Sequence, residues 1–196
     1  MDLLLGALVV SVPAALIAWR LKAVTGGGAI AGFACAVAIY LGTLLAGIAV
    51  LGTALVLTAA ATRVRWAHKV ALGIAEDPRG LRDARSVSAN CGVGAIAALL
   101  AAFSSTWSGE AGSMMVVAAL AAGASDTVAS EIGKAFGARP LAFPTFRRVA
   151  AGTPGAISIA GTIAGALAAA IIAWPAVVLW LLTADRVPVI VLACTL

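Results

Sequence analysis

Charge is what this chain has least of. Asp, Glu, Lys and Arg make up 11% of its 196 residues, against about 25% in soluble domains. Hydrophobic residues make up 63%, and the mean hydropathy is +1.10. That balance excludes a soluble globular domain and reads as an integral membrane protein. Apolar–polar alternation is also missing, which argues against a β-barrel. At roughly 20 apolar residues per crossing, the length holds six or seven helices and no separate soluble domain. Cysteine is scarce: Cys35, Cys91 and Cys194 each lie alone in an apolar run, without metal or disulfide spacing, and read as packing residues. The single histidine, His68, sits among Arg65, Trp66 and Lys69 at a membrane edge and reads as interfacial. No Ser or Cys nucleophile is paired with a histidine base, which excludes a hydrolase triad.

What is present organises into an all-α polytopic transmembrane bundle, one membrane domain over residues 1–196. Its expected spans are 3–19, 26–42, 44–62, 88–103, 113–132, 156–174 and 176–196. The first span has no basic residue ahead of it, and Arg20 and Lys22 follow it; that reverses the order of a cleavable signal and puts the N-terminus outside. The apolar stretch 26–62 is too long for one crossing and is split near Leu41-Gly42-Thr43 into a hairpin. Its glycines, with Gly161 and Gly165 later, read as close-packing positions. The loop from Thr62 to Arg85 carries Arg63, Arg65, Lys69, Arg79, Arg82 and Arg85 against Glu76, Asp77 and Asp83. The chain's end has two readings. Either Asp185-Arg186 is a turn before a half-crossing, or Trp174-Pro175 is the turn and 176–196 the last span, with Asp185 and Arg186 buried as a pair. In both, the basic loops share one side with no exception, the cytoplasmic side by the charge rule.

One stretch stands out: Ser125-Asp126-Thr127-Val128-Ala129-Ser130-Glu131-Ile132-Gly133-Lys134. At about 100° per residue, Asp126, Thr127, Ser130, Glu131 and Lys134 share an arc of roughly 140°. Such a set at membrane depth is costly and marks a functional site, or else an ion pair that fixes packing. Two anion cradles flank it. Arg82 and Arg85 precede a helix start with Ser88 and Asn90 in or near its first turn, and Asn90 needs a partner inside a span. Arg147 and Arg148 precede Thr153-Pro154-Gly155, read as an N-cap and first turn, with Ser158 and Thr162 one helical turn apart. No Walker A lysine follows.

Paired carboxylates, Asp126 and Glu131, suit Mg²⁺, which takes oxygen ligands and bridges to phosphates. Lys134, Arg147, Arg148 and Arg85 suit a transferring phosphoryl group. Read from the residues, this is Mg²⁺-dependent phosphoryl or nucleotidyl transfer to a lipid-borne substrate at the cytoplasmic leaflet.

The block 125–133, with Arg147-Arg148-Val149-Ala150-Ala151-Gly152-Thr153-Pro154-Gly155-Ala156-Ile157-Ser158 and Gly161-Thr162, resembles an integral membrane family long left as a domain of unknown function. That family includes the phytyl-phosphate kinase of plant vitamin E synthesis. Arg85 to Gly94 resembles its Val-x-Ala-Asn-Gly segment, with Cys91 in place of the usual Gly. Thr25-Gly26-Gly27-Gly28-Ala29 resembles its early Thr-x-x-Gly-Ala. The resemblance implies transfer of phosphate from a nucleoside triphosphate, CTP or ATP, to an isoprenyl monophosphate, giving the diphosphate. Carried over by position, it implies Asp126 and Glu131 as metal and catalytic carboxylates, Arg147, Arg148 and Thr153 as phosphate contacts, and Asn90 as a polar partner in the bundle. Read from the residues, Lys134 joins the catalytic set, and Gly155, Ser158, Ser130, Arg85 and Asn90 join the phosphate-side candidates. Family members continue past the position of Leu196 into an Asp-Ser-Leu-Leu-Gly-Ala-Thr-like segment that this chain does not include, which puts its metal binding in question.

The expected partners are the bilayer, an isoprenyl phosphate and a nucleoside triphosphate, with no nucleic acid and with a homodimer compatible. The expected location is a prokaryotic cytoplasmic membrane, active face inward. A transporter or flippase of a lipid phosphate or small anion is the rival reading. It too would carry buried Asp, Glu and Asn, but it needs no Arg clusters at helix starts and more often shows an internal repeat, which is missing here.

Overall fold

Apolar periodic segments separated by short polar turns build helices here. The computed structural model describes residues 2–75, 81–137 and 140–195. The loop charges Glu76, Asp77, Arg79 and Arg139 lie outside that set. In chain order the elements are α1 (Leu3–Arg20), α2 (Gly26–Arg63), α3 (Trp66–Ala71), α4 (Ala84–Phe103), α5 (Glu110–Phe136), β1 (Leu141–Ala142), β2 (Arg147–Arg148), β3 (Ala156–Ile157), α6 (Ile159–Val178) and α7 (Arg186–Thr195). Five of these helices are long and apolar enough to cross a membrane.

α2 holds more than one crossing. Its 38 residues break at Leu44, whose φ of 54° and ψ of −143° lie outside the helical region. The chain doubles back there: Ala29 and Leu55 pack on one small cluster, and Gly28 and Thr58 line one cavity. Thr43 donates its hydroxyl to the Ile39 carbonyl at 2.6 Å, satisfying an acceptor freed near the break. Residues 26–43 and 45–63 are therefore two arms of crossing length, and with α1, α4, α5 and α6 they give six.

Side-chain caps set three helix starts, each accepting from an amide that has no partner within the helix. Thr25 accepts from Gly28 N, Asp83 from Ser86 N, and Ser158 from Gly161 N, at 3.1, 2.8 and 3.1 Å. Two expected starts move accordingly. α4 begins at Ala84, not at 88, because Asp83 supplies the cap. α6 begins at Ile159, not at 156: Thr153 is no cap, Gly155 has a φ of +73°, and Ala156–Ile157 pair with β1 as an extended strand.

The expected last span, 176–196, does not form. α6 continues through Pro175 to Val178, then stops at Trp180, whose φ is 60°. Trp180 N bonds the Val177 carbonyl and Leu181 N the Ala176 carbonyl, the double closure that ends a helix on a left-handed residue. Asp185 and Arg186 remain exposed, and α7 is a ten-residue half-crossing. Outside the apolar spans, the Thr183 hydroxyl holds the Asp185 carboxyl below its usual range.

α5 is the axis. It packs against α2, α4, α6 and α7 through Val116, Val117, Leu120, Ala121 and Ala124, all buried. The core is alanine-rich, so backbones approach closely, as helix association in lipid requires. A Cβ at Gly161 would lie 2.6 Å from the Ala129 carbonyl oxygen, and one at Gly165 would lie 3.1 Å from Ala129 Cβ. Large apolar side chains such as Ile30, Val56, Val93 and Ile163 point outward, as lipid-facing residues do.

Contacts assign charges to two ends. At one end Val24 bridges Arg82, Arg65 reaches the Ala135 carbonyl, and Lys69 meets Glu131. At the other, Arg186 pairs with Glu110 at 2.9 Å, an exposed contact that contributes little stability.

Candidate functional site: a polar cleft above a buried ion-pair triad

The acidic stretch lies in the last three turns of α5, where its arc divides. Asp126, Ser130, Gly133 and Lys134 form one wall of an open cleft of about 500 Å³. The facing wall is the segment Gly152–Ser158 with Gly161 and Thr162 of α6, and Pro140 closes one side. Thr127 and Glu131 turn the other way, into the bundle.

Glu131 is fully buried and both its oxygens are taken. Lys69 Nζ lies 2.5 Å from Oε2 and Lys134 Nζ 2.8 Å from Oε1. Lys69 is itself 0% exposed, and its remaining protons go to the carbonyls of Thr62 at 2.7 Å and Ala61 at 3.3 Å. One carboxylate, two ammonium groups and two helix-end carbonyls thus form one connected network, in which Glu131 and Lys69 are fully buried. The pairing of Asp126 and Glu131 as two metal carboxylates is not what the structure presents. Glu131 is locked under the cleft floor by two cations, and among the described residues Asp126 alone offers a carboxylate to the cleft. Asp126 is exposed, with no hydrogen bond or ion pair among the described residues. Nor do those residues contain a group of three His, Cys, Asp or Glu side chains placed to hold a metal.

The facing wall presents hydroxyls and backbone. The Thr153 hydroxyl donates to the Ala150 carbonyl at 2.8 Å, so it fixes its own turn while lining the cleft. Gly155 occupies left-handed backbone with open space around its Cα, so that stretch can lie against a bound group. Ser158 caps α6 and sits at the cleft with the first turn of that helix, whose free amides carry partial positive charge. Beside it, Leu141, Phe143, Phe146, Ile159 and Ile163 line an apolar groove of about 240 Å³ that shares Ile157, Ser158 and Thr162 with the cleft.

Six of the candidate residues therefore come together: Asp126, Ser130, Lys134, Thr153, Gly155 and Ser158. Arg147 and Arg148 do not line the cleft. They are exposed on β2, which pairs with β1, which in turn pairs with β3. The expected run from these arginines straight into a helix start is interrupted by that sheet. Arg85 is exposed on the first turn of α4. Asn90 donates to the Thr127 hydroxyl at 3.3 Å and lines a different, apolar cavity.

Two residues matter more than the sequence suggested. Lys69 reads as a loop cation, yet α3 folds it inward onto Glu131; a lysine spaced after Trp66 and before Val70 in a six-residue helix is the only signal. Arg82, paired with Arg85 in the sequence reading, is buried while Arg85 is exposed.

Fold and site together define a polytopic helical membrane protein with a cation-backed polar cleft at the basic end of its bundle. The chain belongs to the integral membrane protein family DUF92, whose family model matches residues 9–196. It is 37% identical over 168 residues to Protein VTE6, chloroplastic, of Arabidopsis thaliana, covering 81% of this chain and 50% of that one. It is also 37% identical over 110 residues to an uncharacterized membrane protein of Synechocystis, covering 54% of this chain and 41% of the other. A third relative, an uncharacterized membrane protein of Methanocaldococcus jannaschii, is 37% identical over 91 residues, covering 46% and 37%. The chain spans about half or less of the length of these relatives. No solved structure matches. The relatives come from a chloroplast, a cyanobacterium and an archaeon, so the family establishes a membrane protein without singling out a prokaryotic plasma membrane.

Proposed function

We propose that this protein is a membrane-embedded phosphotransferase that converts an isoprenyl monophosphate to the diphosphate, using a nucleoside triphosphate such as CTP at the cleft. The observation that carries this reading is the meeting, in one open cleft, of an exposed carboxylate, an ammonium group, four hydroxyls and a helix start. Lys134, braced by Glu131, supplies positive charge to phosphate oxygens. The Gly155 backbone and the first amides of α6, with the Ser130 and Thr153 hydroxyls, orient the phosphate chain. The adjoining aromatic and aliphatic groove suits the first isoprenyl units, keeping the acceptor phosphate at the shared edge formed by Ser158 and Thr162.

Mg²⁺ is part of the proposal. Asp126 fits it as the one carboxylate that the described residues bring to the cleft, a common arrangement when substrate phosphates supply further oxygens. Glu131 does not fit as a ligand, since both its oxygens are held by lysines, and acts through Lys134. Bound Mg²⁺ would neutralise charge on the phosphates. The charge rule orients the cleft to the cytoplasmic side, with the N-terminus outside. The homology to Protein VTE6 supports a kinase-like reading.

The test uses purified protein in detergent with Mg²⁺, labelled CTP or ATP, and phytyl or geranylgeranyl monophosphate. Diphosphate should form with wild type and vanish in Asp126→Asn. No product, from this chain or from one extended past Leu196, would overturn the proposal.

A further inference from the structure

A second cavity lies on the opposite face of α5 and takes no part in the cleft. It has a volume of about 140 Å³ and is bounded by α1, both arms of α2, α4 and α5. Its walls are almost wholly apolar and small, including Ala15, Gly32, Ile48, Leu51, Gly52 and Leu120. One charged residue lines it: Arg82, 7% exposed, with its Nε and Nη2 buried and without a hydrogen-bond partner.

That guanidinium is held in place. Arg82 N donates to the Ala23 carbonyl and its carbonyl accepts from Thr25 N, a parallel bridge to Val24. It therefore stands between the N-termini of α2 and α4, whose dipoles add to its positive charge. Thr25 and Asp83 do not pair with it: Thr25 is uncharged, and the Asp83 carboxylate is exposed, caps Ser86 N and makes no ion pair with Arg82. Among the described residues no carboxylate pairs with Arg82. A buried guanidinium costs too much to leave unpaired in an apolar wall, and the planar fork is shaped for a phosphate or carboxylate. Asn90, on the same wall, adds a polar side chain.

We infer that this cavity binds an anionic amphiphile, its phosphate or carboxylate head on Arg82 and its first carbons in the apolar space. The volume matches the roughly 150 Å³ apolar cavity that takes up benzene, so it accepts a short chain segment, with the remainder running out among the helices. The site is separate from the cleft: Leu120 and Ala124 face it, while Asp126 and Ser130 face the other way. It does not depend on the kinase reading.

The experiment measures binding of labelled octyl monophosphate to the full chain in nanodiscs, with octanol and inorganic phosphate as competitors. Two variants act on different halves of the site. Arg82→Gln removes the charge. Gly52→Leu fills the space, and a Cβ at Gly52 meets nothing within 4 Å, so its backbone tolerates the change. Wild type should bind at least one equivalent that both variants lose, with affinity falling tenfold or more, while Arg82→Lys retains part of it. Octanol should compete weakly. Methylthiolation of Cys35 and Cys91, which line the cavity, by methyl methanethiosulfonate, which forms the mixed disulfide and releases sulfinate, should slow when octyl phosphate is bound, while that of Cys194 should not. Unchanged binding in either folded variant would overturn the assignment. So would displacement by inorganic phosphate at equal concentration, which would mark a free-anion site. Asp126→Asn should leave this binding intact, so a failed kinase assay and a failed amphiphile site are distinguishable.

Discussion

Replacing Glu131 by Gln tests whether this acid belongs to the chemistry or to the scaffold beneath it. The change keeps the shape and removes the charge that two ammonium groups share. Lys134 is 22% exposed in its side chain and can turn to water, but Lys69 is 0% exposed and cannot. Lys69 would keep only the carbonyls of Ala61 and Thr62. Breaking a buried pair from one side costs about 3–5 kcal/mol, because the remaining charge is uncompensated. For a chain of this size that lowers the unfolding temperature by about 2–4 °C per kcal/mol, so a drop of about 6–20 °C is expected. Lys69→Met alone should also destabilise, by less, since Glu131 keeps Lys134. The double variant Lys69→Met/Glu131→Gln should recover part of the loss, a coupling of about 1–3 kcal/mol in the mutant cycle. Thermal unfolding in detergent, followed by tryptophan fluorescence, reads all four proteins. A Glu131→Gln variant as stable as wild type but without phosphotransfer would refute the reasoning and return Glu131 to the metal site.

The remaining expectations are shorter. Asp126→Asn should leave the stability within about 0.5 kcal/mol of wild type, since the side chain is exposed and has no partner among the described residues, while transfer falls at least a hundredfold; paired melting and activity assays check this. Gly161→Val should cost about 1–3 kcal/mol by forcing α6 from the Ala129 carbonyl, and should weaken nucleotide retention because the cleft widens. Ser158→Ala removes the α6 cap and should cost about 1 kcal/mol, read from the melting shift. Arg186→Ala at the opposite end should be nearly silent in both assays, because its pair with Glu110 is exposed.

The class of fold was legible because lipid imposes it. Apolar runs of fixed length, glycines at close crossings and a one-sided charge distribution are each direct consequences of the bilayer as solvent. The reversal in α2 also announced itself, since 37 apolar residues cannot cross once, and the break falls at Leu44, one residue past the expected turn. The end of α6 did not. Pro175 reads as a breaker, yet a proline inside a membrane helix is tolerated, and the stop comes five residues later on a tryptophan in left-handed backbone. No composition rule points to Trp180 for a position that glycine usually fills. The start of α6 failed similarly, because Thr153-Pro154 carries the chemistry of a helix cap while tertiary pairing of Ile157 with Leu141 holds the chain extended.

The candidate site divides along the same line between local and distant information. Helical spacing placed Asp126, Ser130 and Lys134 on one face, and the Gly-rich segment after them, singled out in the sequence, forms the facing wall of the cleft. Spacing alone puts Glu131 on that arc too, since it is one residue from Ser130, or about 100°. What separates it from Asp126 is a lysine 62 positions earlier, folded in by a six-residue helix. The same holds for Arg82 and Arg85, three residues apart at the start of one helix, of which one is buried and the other in solvent. A charge in a membrane protein thus acquires its role from what the bundle supplies as its partner. Glu131, with two cations, becomes structure. Asp126, with no partner among the described residues, is left open to the cleft. Arg82, buried with no counter-charge among the described residues, is the group on which the proposed anion site rests.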